Sequence, residues 1–362
     1  METIKLKILD EVGHTLMTCD ADTAVSLVYT NCYKPGDRVA LEIDHPGQYC
    51  VIQFEDTMPE ALVYVVKREI NFHIPFGEQA ITYSPKSFVG SRHVIRARLA
   101  LPEEIAARRN LAFNCYDEHG DTGFYPHASA NVETRGEAVF AARNAIDGIF
   151  ENSAHGEYPY QSWGINRDPN AALTLDFGRE VLLDELRITE RADFPHDNYW
   201  VKATVEFSDG SKLDIPLVKS AKPQSVTFEP KRVRSLVLKD LIQAEGTSPF
   251  PALTQIEAFG TAVKYDEHVR CLLRAGGARR RPQRTGKERG CTVLPDGGPR
   301  PRPAAGHQSD SLCTLPAGGV GRFAGCDLAQ PAPDHGAGSH CWSAGGPRHA
   351  AARGLHPAQF AE

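Results

Sequence analysis

Residues 141–164, AARNAIDGIFENSAHGEYPYQSWG, crowd polar and aromatic groups into a span with neither helical nor strand periodicity. Asn144, Asp147, Asn152 and Ser153 bring side-chain oxygens or free carbonyls close together, with Asp147-Gly148 following the apolar pair Ala145-Ile146. A hard cation suits such a set, because calcium takes about six to eight oxygens and accepts carbonyls as readily as carboxylates. The second half of the span adds His155, Tyr158, Tyr160 and Trp163. Aromatic faces and a histidine are suited to holding a sugar. The plainer alternative makes Asp147-Gly148 a turn and Trp163 a core residue.

A second cluster, residues 187–200 (RITERADFPHDNYW), lies between two strand-like stretches and therefore reads as a connecting loop. Arg191, Asp193, His196, Asp197 and Trp200 fall within ten residues of one another. Charged side chains pair with vicinal hydroxyls in a bidentate way while an aromatic ring covers the apolar face of a pyranose. Two other readings stand beside this one. The loop could hold an Arg–Asp salt bridge with a capping histidine, or Asp193, His196 and Asp197 could form a metal or acid–base site. Glycoside hydrolysis, however, needs two carboxylates facing across a cleft at a set separation, which one short loop seldom supplies. A third stretch, residues 249–260 (PFPALTQIEAFG), places Glu257 in an alternating apolar run, where an inward carboxylate needs a partner. A cation held by Asp147 would provide one.

Strands must position these clusters. From residue 4 to about 100, short Val-, Ile-, Leu-, Tyr- and Phe-rich runs alternate with turn signals such as Lys34-Pro35-Gly36-Asp37 and His45-Pro46-Gly47. Val39, Leu41 and Ile43 alternate with Ala40 and Glu42, and Ile95, Ala97 and Leu99 with Arg96 and Arg98, the two-residue period of a half-buried sheet. About seven strands in roughly 100 residues predict a β-sandwich. His73 and His93 are isolated and read as surface or structural residues. Residues 102–109 predict a short helical connector. Beyond them, seven or eight further runs predict a second sandwich, in which Val201, Ala203, Val205 and Phe207 face inward and Asp209-Gly210 turns a tight hairpin.

The chain has 362 residues and a net charge of −6, a balance that argues against nucleic acid as a partner. It contains no long apolar run and its first residues lack a secretory pattern, so membrane insertion is not expected and the chain as written reads as cytoplasmic. An extracellular location stays open if the N-terminus extends further. Cys19, Cys32, Cys50 and Cys115 are scattered and read as buried thiols. From residue 263 to 362 arginine replaces lysine, glycine and proline accumulate and alternation stops, which predicts a disordered or out-of-frame tail. Its cysteines and histidines are too irregularly spaced for a zinc site.

The order NAIDG, SWG, LTLDFGREVLLDELRI, VEFSDGS and a closing TQIEAFG resembles the discoidin, or coagulation factor 5/8 type C, domains. That group includes many carbohydrate-binding modules with a galactose-binding-like jelly roll, and the resemblance covers about residues 109–260. It implies a structural calcium ion with Asp147 and Glu257 as side-chain ligands and Asn144 and Asn152 contributing carbonyl or amide oxygens. Where the family usually has threonine or serine five residues after the aspartate, this chain has Asn152. The family's sugar-binding loops vary, so Arg191, Asp193, His196, Asp197, Trp200, Trp163, Tyr160 and His155 are assigned to a ligand from composition.

The expectation is therefore an all-β chain with two β-sandwich domains, at 1–105 and 109–262, the second a discoidin-like jelly roll. The expected activity is non-catalytic binding of a glycan or oligosaccharide, in association with a catalytic domain of a glycan-processing enzyme. A protein–protein or adhesion module, and a glycoside hydrolase with its acid and base in the 187–200 loop, are the alternatives.

Overall fold

The structure, a computed structural model, describes residues 3–192, 198–246 and 248–263. Asp193, His196 and Asp197 lie outside the described residues, as does the segment beyond Val263 that was expected to be a tail. The fold is all-β, with antiparallel pairing throughout the described strands and one α-helix among the described residues.

The first eight strands are β1 (Ile4–Leu9), β2 (Thr15–Ala21), β3 (Ala24–Tyr29), β4 (Arg38–Ile43), β5 (Gln48–Gln53), β6 (Ala61–Val65), β7 (Glu69–His73) and β8 (His93–Leu99). They form a sheet in the order β2-β1-β4-β7 and a second in the order β6-β5-β8-β3. Alternation decides which side chains meet between the sheets: Leu6, Val39, Leu41 and Phe72 from one and Leu27, Ile52, Val63 and Ile95 from the other share a single core. Ala40 is also buried, so β4 is covered on both faces. Helix α1 (Pro102–Ala106) follows, with proline in its first turn and Glu104 accepting the Leu101 N–H, as the charged, alanine-rich connector predicts. The next two strands are β9 (Arg109–Asn110) and β10 (Phe124–Tyr125), and β10 pairs with β6, so that Cys115, Tyr116 and Phe124 complete the first core. Cys50 and Cys115 are buried, but Cys19 is half-buried and Cys32 exposed, which corrects the expectation of four buried thiols. Cys32 lies in the loop after β3, where no sheet covers it.

The remaining strands are β11 (His127–Ala130), β12 (Trp163–Gly164), β13 (Leu173–Glu190), β14 (Trp200–Phe207), β15 (Lys212–Pro216), β16 (Gln224–Gln243) and β17 (Ala252–Ala262). Their order is β12-β17-β13-β16-β14-β15, with β11 on β13 and β9 on β17. Both β13 and β16 run on through register shifts, at residues 176–185 of the first and 227–235 of the second, where bulges let a strand bend without ending. The Asp209-Gly210 hairpin forms as predicted, with the Phe207 N–H donating to the Ser211 carbonyl at 2.9 Å. At the start of β14, register shifts flank Lys202. Trp200 therefore points into the core and Val201 outward, while Ala203, Val205 and Phe207 point inward as expected.

Candidate functional site

A cleft of about 490 Å³ opens at the loop end of the second sandwich, lined among others by Phe140, His155, Asn166, Arg167, Arg191 and Phe250. Gly164 in β12 lets the chain pass beneath Phe140, since a Cβ there would lie 2.6 Å from Thr134 Oγ1 and 3.2 Å from the Phe140 ring. Just beyond, Asn166 and Arg167 both adopt left-handed backbone angles (φ 49° and 59°), a conformation that asparagine takes readily and arginine only at some cost. The Asn166 N–H donates to Thr134 Oγ1 at 2.9 Å, which fixes that turn. Arg167 then extends over the Phe250 ring at 6.0 Å from its centroid. Phe250, held between Pro249 and Pro251, is 48 % exposed.

Arg191 enters from the end of β13. Its N–H donates to the Ala252 carbonyl, and its guanidinium donates to Ser162 Oγ at 3.0 Å and lies 6.0 Å from the Phe140 ring centroid. Arg135, ion-paired with Glu137, flanks the same ring at 5.6 Å, and His155 lies 6.5 Å from it. The cleft thus combines aromatic surface with guanidinium and imidazole donors.

Of the eight residues expected to hold a ligand, Arg191 and His155 line this cleft. Tyr160 is half-buried and does not line it. Trp163 and Trp200 are fully buried, with ring centroids 6.5 Å apart, so neither can cover a sugar, and both belong to the core. The Trp163 indole N–H is satisfied by the Val132 carbonyl at 3.0 Å. The sequence reading missed Phe140, Phe250 and Arg167. The signal for Phe250 was present in Pro249-Phe250-Pro251, where two prolines keep an aromatic side chain out of any ladder.

The loop around Asp147 lies nearby. Gly148 sits at φ 82° with Phe113 packed where a Cβ would be, so the Asp-Gly pair is fixed by geometry. Asp147 is buried; its Oδ1 accepts from the Ile149 N–H and from Gln255 Nε2, each at 2.8 Å, and its Oδ2 from Gln161 Nε2 at 2.8 Å. Burial pushes its carboxyl up to about 6, against the pull of the nearby Arg143 charge and of these donors.

Of the four residues expected to ligate calcium, the side chains of Asn144, Asn152 and Glu257 have other neighbours. Glu257 pairs in register with Arg187, whose charge opposes the upward push of burial on its carboxyl, and it is Gln255 that reaches Asp147. Asn152 turns its amide nitrogen to the Glu190 and Ala221 carbonyls. Asn144 does stand beside Asp147, but its carbonyl accepts from Gln255 and its Oδ1 from Arg143. Among the described residues no group of three or more His, Cys, Asp or Glu side chains is placed to hold a metal ion.

Arg143 ties this loop to the first sandwich. Its buried guanidinium donates to the Asp117 and Cys115 carbonyls, to Asn144 Oδ1 and to Thr82 Oγ1, and stacks 4.8 Å from the Tyr83 ring centroid. It also floors a second cleft, of about 600 Å³, whose glutamates Glu78, Glu118 and Glu133 each accept a main-chain N–H.

No family model matches this chain, and no curated protein matches it. Solved structures similar to it include the lectin domain of lectinolysin complexed with Lewis B antigen (19 % identity, 42 % of this chain and 98 % of that one, TM-score 0.32). A chitosan-binding module of a chitosanase/glucanase from Paenibacillus sp. IK-5 aligns at 16 % identity over 42 % of this chain and 99 % of its own (TM-score 0.28). A family 32 carbohydrate-binding module of NanJ from C. perfringens, in complex with galactose, aligns at 18 % identity over 36 % and 91 % (TM-score 0.28). Among the described residues no helix is long and apolar enough to cross a membrane.

Proposed function

We propose that residues 109–262 are a discoidin-like, non-catalytic carbohydrate-binding module whose ligand lies in the cleft between Phe140 and Phe250. One observation carries this reading: an exposed aromatic face, Phe250, stands in a cleft whose donors are the guanidinium groups of Arg167 and Arg191 and the imidazole of His155. The C–H face of a pyranose packs on an aromatic ring, while planar guanidinium forks match pairs of adjacent hydroxyls. The bond from the Asn166 N–H to Thr134 Oγ1 supports the reading, because it fixes the turn that carries Arg167 before any ligand arrives.

The non-catalytic part of the proposal follows from the sequence, in which one short loop seldom supplies both carboxylates that hydrolysis of a glycosidic bond takes in most families. Asp193 and Asp197, the candidates for that role, lie outside the described residues, so the assay for released sugar decides between the two readings. Isothermal titration of the full chain with glycans retained on an array tests the proposal. Saturable binding that Phe250→Ala weakens, with no release of reducing sugar, is the expected result; release of sugar would put catalysis in its place.

A further inference from the structure

The resemblance implies calcium at the Asp147 loop, yet the donors around Asp147 are arranged for something else. Gln255 Nε2 lies 2.7 Å from the Asn144 carbonyl, 2.8 Å from Asp147 Oδ1 and 2.7 Å from the Thr254 carbonyl, while Gln255 Oε1 accepts the Gly148 N–H at 3.0 Å. One neutral amide group thus gathers three oxygens that converge as they would on a cation. Arg143, buried on the neighbouring turn and donating to Asn144 Oδ1 at 3.2 Å, adds a fixed positive charge whose pull on Asp147 partly offsets the cost of burying that carboxyl. A calcium ion entering here would have to displace the Gln255 amide and sit next to that guanidinium. It would find one carboxylate, whose two oxygens already accept three N–H donors. The nearby buried oxygens without a partner, Gln161 Oε1 and Thr254 Oγ1, are neutral and add no charge.

We infer that the Gln255 amide and the Arg143 guanidinium together take the place of the metal ion, making this a calcium-independent member of its fold type. The consequence reaches the cleft. Asn144 Nδ2 donates to the Ser162 carbonyl at 3.3 Å, and Ser162 Oγ accepts from Arg191 at 3.0 Å, so the amide knot sets the position of a cleft residue without a metal. This last step rests on the proposed glycan site, whereas the inference about the knot does not.

The test uses the full chain and no sugar. Thermal melting of the wild type in excess calcium and in chelator should coincide, and calorimetric titration with calcium chloride should give no saturable binding. Gln255→Glu sets a second carboxylate against Asp147. The variant should melt lower than wild type in chelator and regain melting temperature with calcium at one ion per chain; a variant that folds only with calcium counts the same way. Gln255→Leu should melt lower with or without calcium. A saturable, one-to-one calcium-dependent rise in the wild-type melting temperature would overturn the inference. So would Gln255→Glu or Gln255→Leu melting like wild type in chelator, because the amide would then hold nothing. Because these readouts involve no glycan, they stand or fall separately from sugar binding in the cleft.

Discussion

Trp163 and Trp200 meet in the middle of the second core with their ring centroids 6.5 Å apart, both fully buried, although each lies in a sequence rich in polar groups. Truncating such a ring removes its buried area and leaves a cavity. Trp200→Ala should cost roughly 3–5 kcal/mol of stability, measured by urea unfolding followed by far-ultraviolet circular dichroism. A loss under about 1 kcal/mol would mean the ring is not in a packed core.

Phe250 makes the opposite case, being exposed at the cleft. Phe250→Ala should leave the unfolding free energy within the range of an ordinary surface change, about 0.5 kcal/mol, while raising the Kd for a retained glycan about tenfold or more, which is about 1.4 kcal/mol. Unchanged affinity would move the ligand away from this ring.

Arg143 joins Thr82 and Tyr83 of the first sandwich to Asn144 of the second through buried hydrogen bonds and ring stacking. Removing one partner from a buried charged network leaves the others unsatisfied. Arg143→Met should therefore cost about 3–5 kcal/mol, read from the urea midpoint. A variant with wild-type stability would show that the network does not hold the two sandwiches together.

Glu190 gives the stability a pH dependence. Its fully buried carboxylate accepts the Trp200 N–H at 2.6 Å and Gln224 Nε2 at 3.2 Å, and burial pushes it up to about 7 despite these donors. The folded state holds this proton more tightly than the unfolded chain, whose glutamate loses it near 4.5. The stabilisation is thus present below pH 4.5 and is lost as pH rises towards 7, by about 3 kcal/mol over the window. Asp147 acts in the same sense between 3.8 and about 6. Melting scans from pH 5 to 8 should show Glu190→Gln gaining on wild type as pH rises. Parallel curves would place the titration elsewhere.

The strands were legible because a two-residue apolar period with turn residues between runs has few other outcomes, and Asp209-Gly210 fixed its hairpin locally. The tryptophans were not legible. Burial of Trp200 depends on the register shifts flanking Lys202, which turn Val201 outward, and a single sequence carries no register. Gln255 was passed over for Glu257 because a carboxylate is the more obvious cation ligand. Which of two residues on one strand reaches the Asp147 loop is settled only by how β17 pairs with β13. The cleft was half legible: Arg191 and His155 were found by type, whereas Arg167 and Phe140 enter through a left-handed turn and a glycine crossing that spacing does not reveal.

The most direct measurement is a glycan-array screen of the full chain, wild type and Phe250→Ala side by side, in chelator. Retention of a defined set of glycans by the wild type, lost in the variant at unchanged melting temperature, is the predicted result. Equal retention by both proteins, or none by a folded wild type, would contradict carbohydrate binding in this cleft.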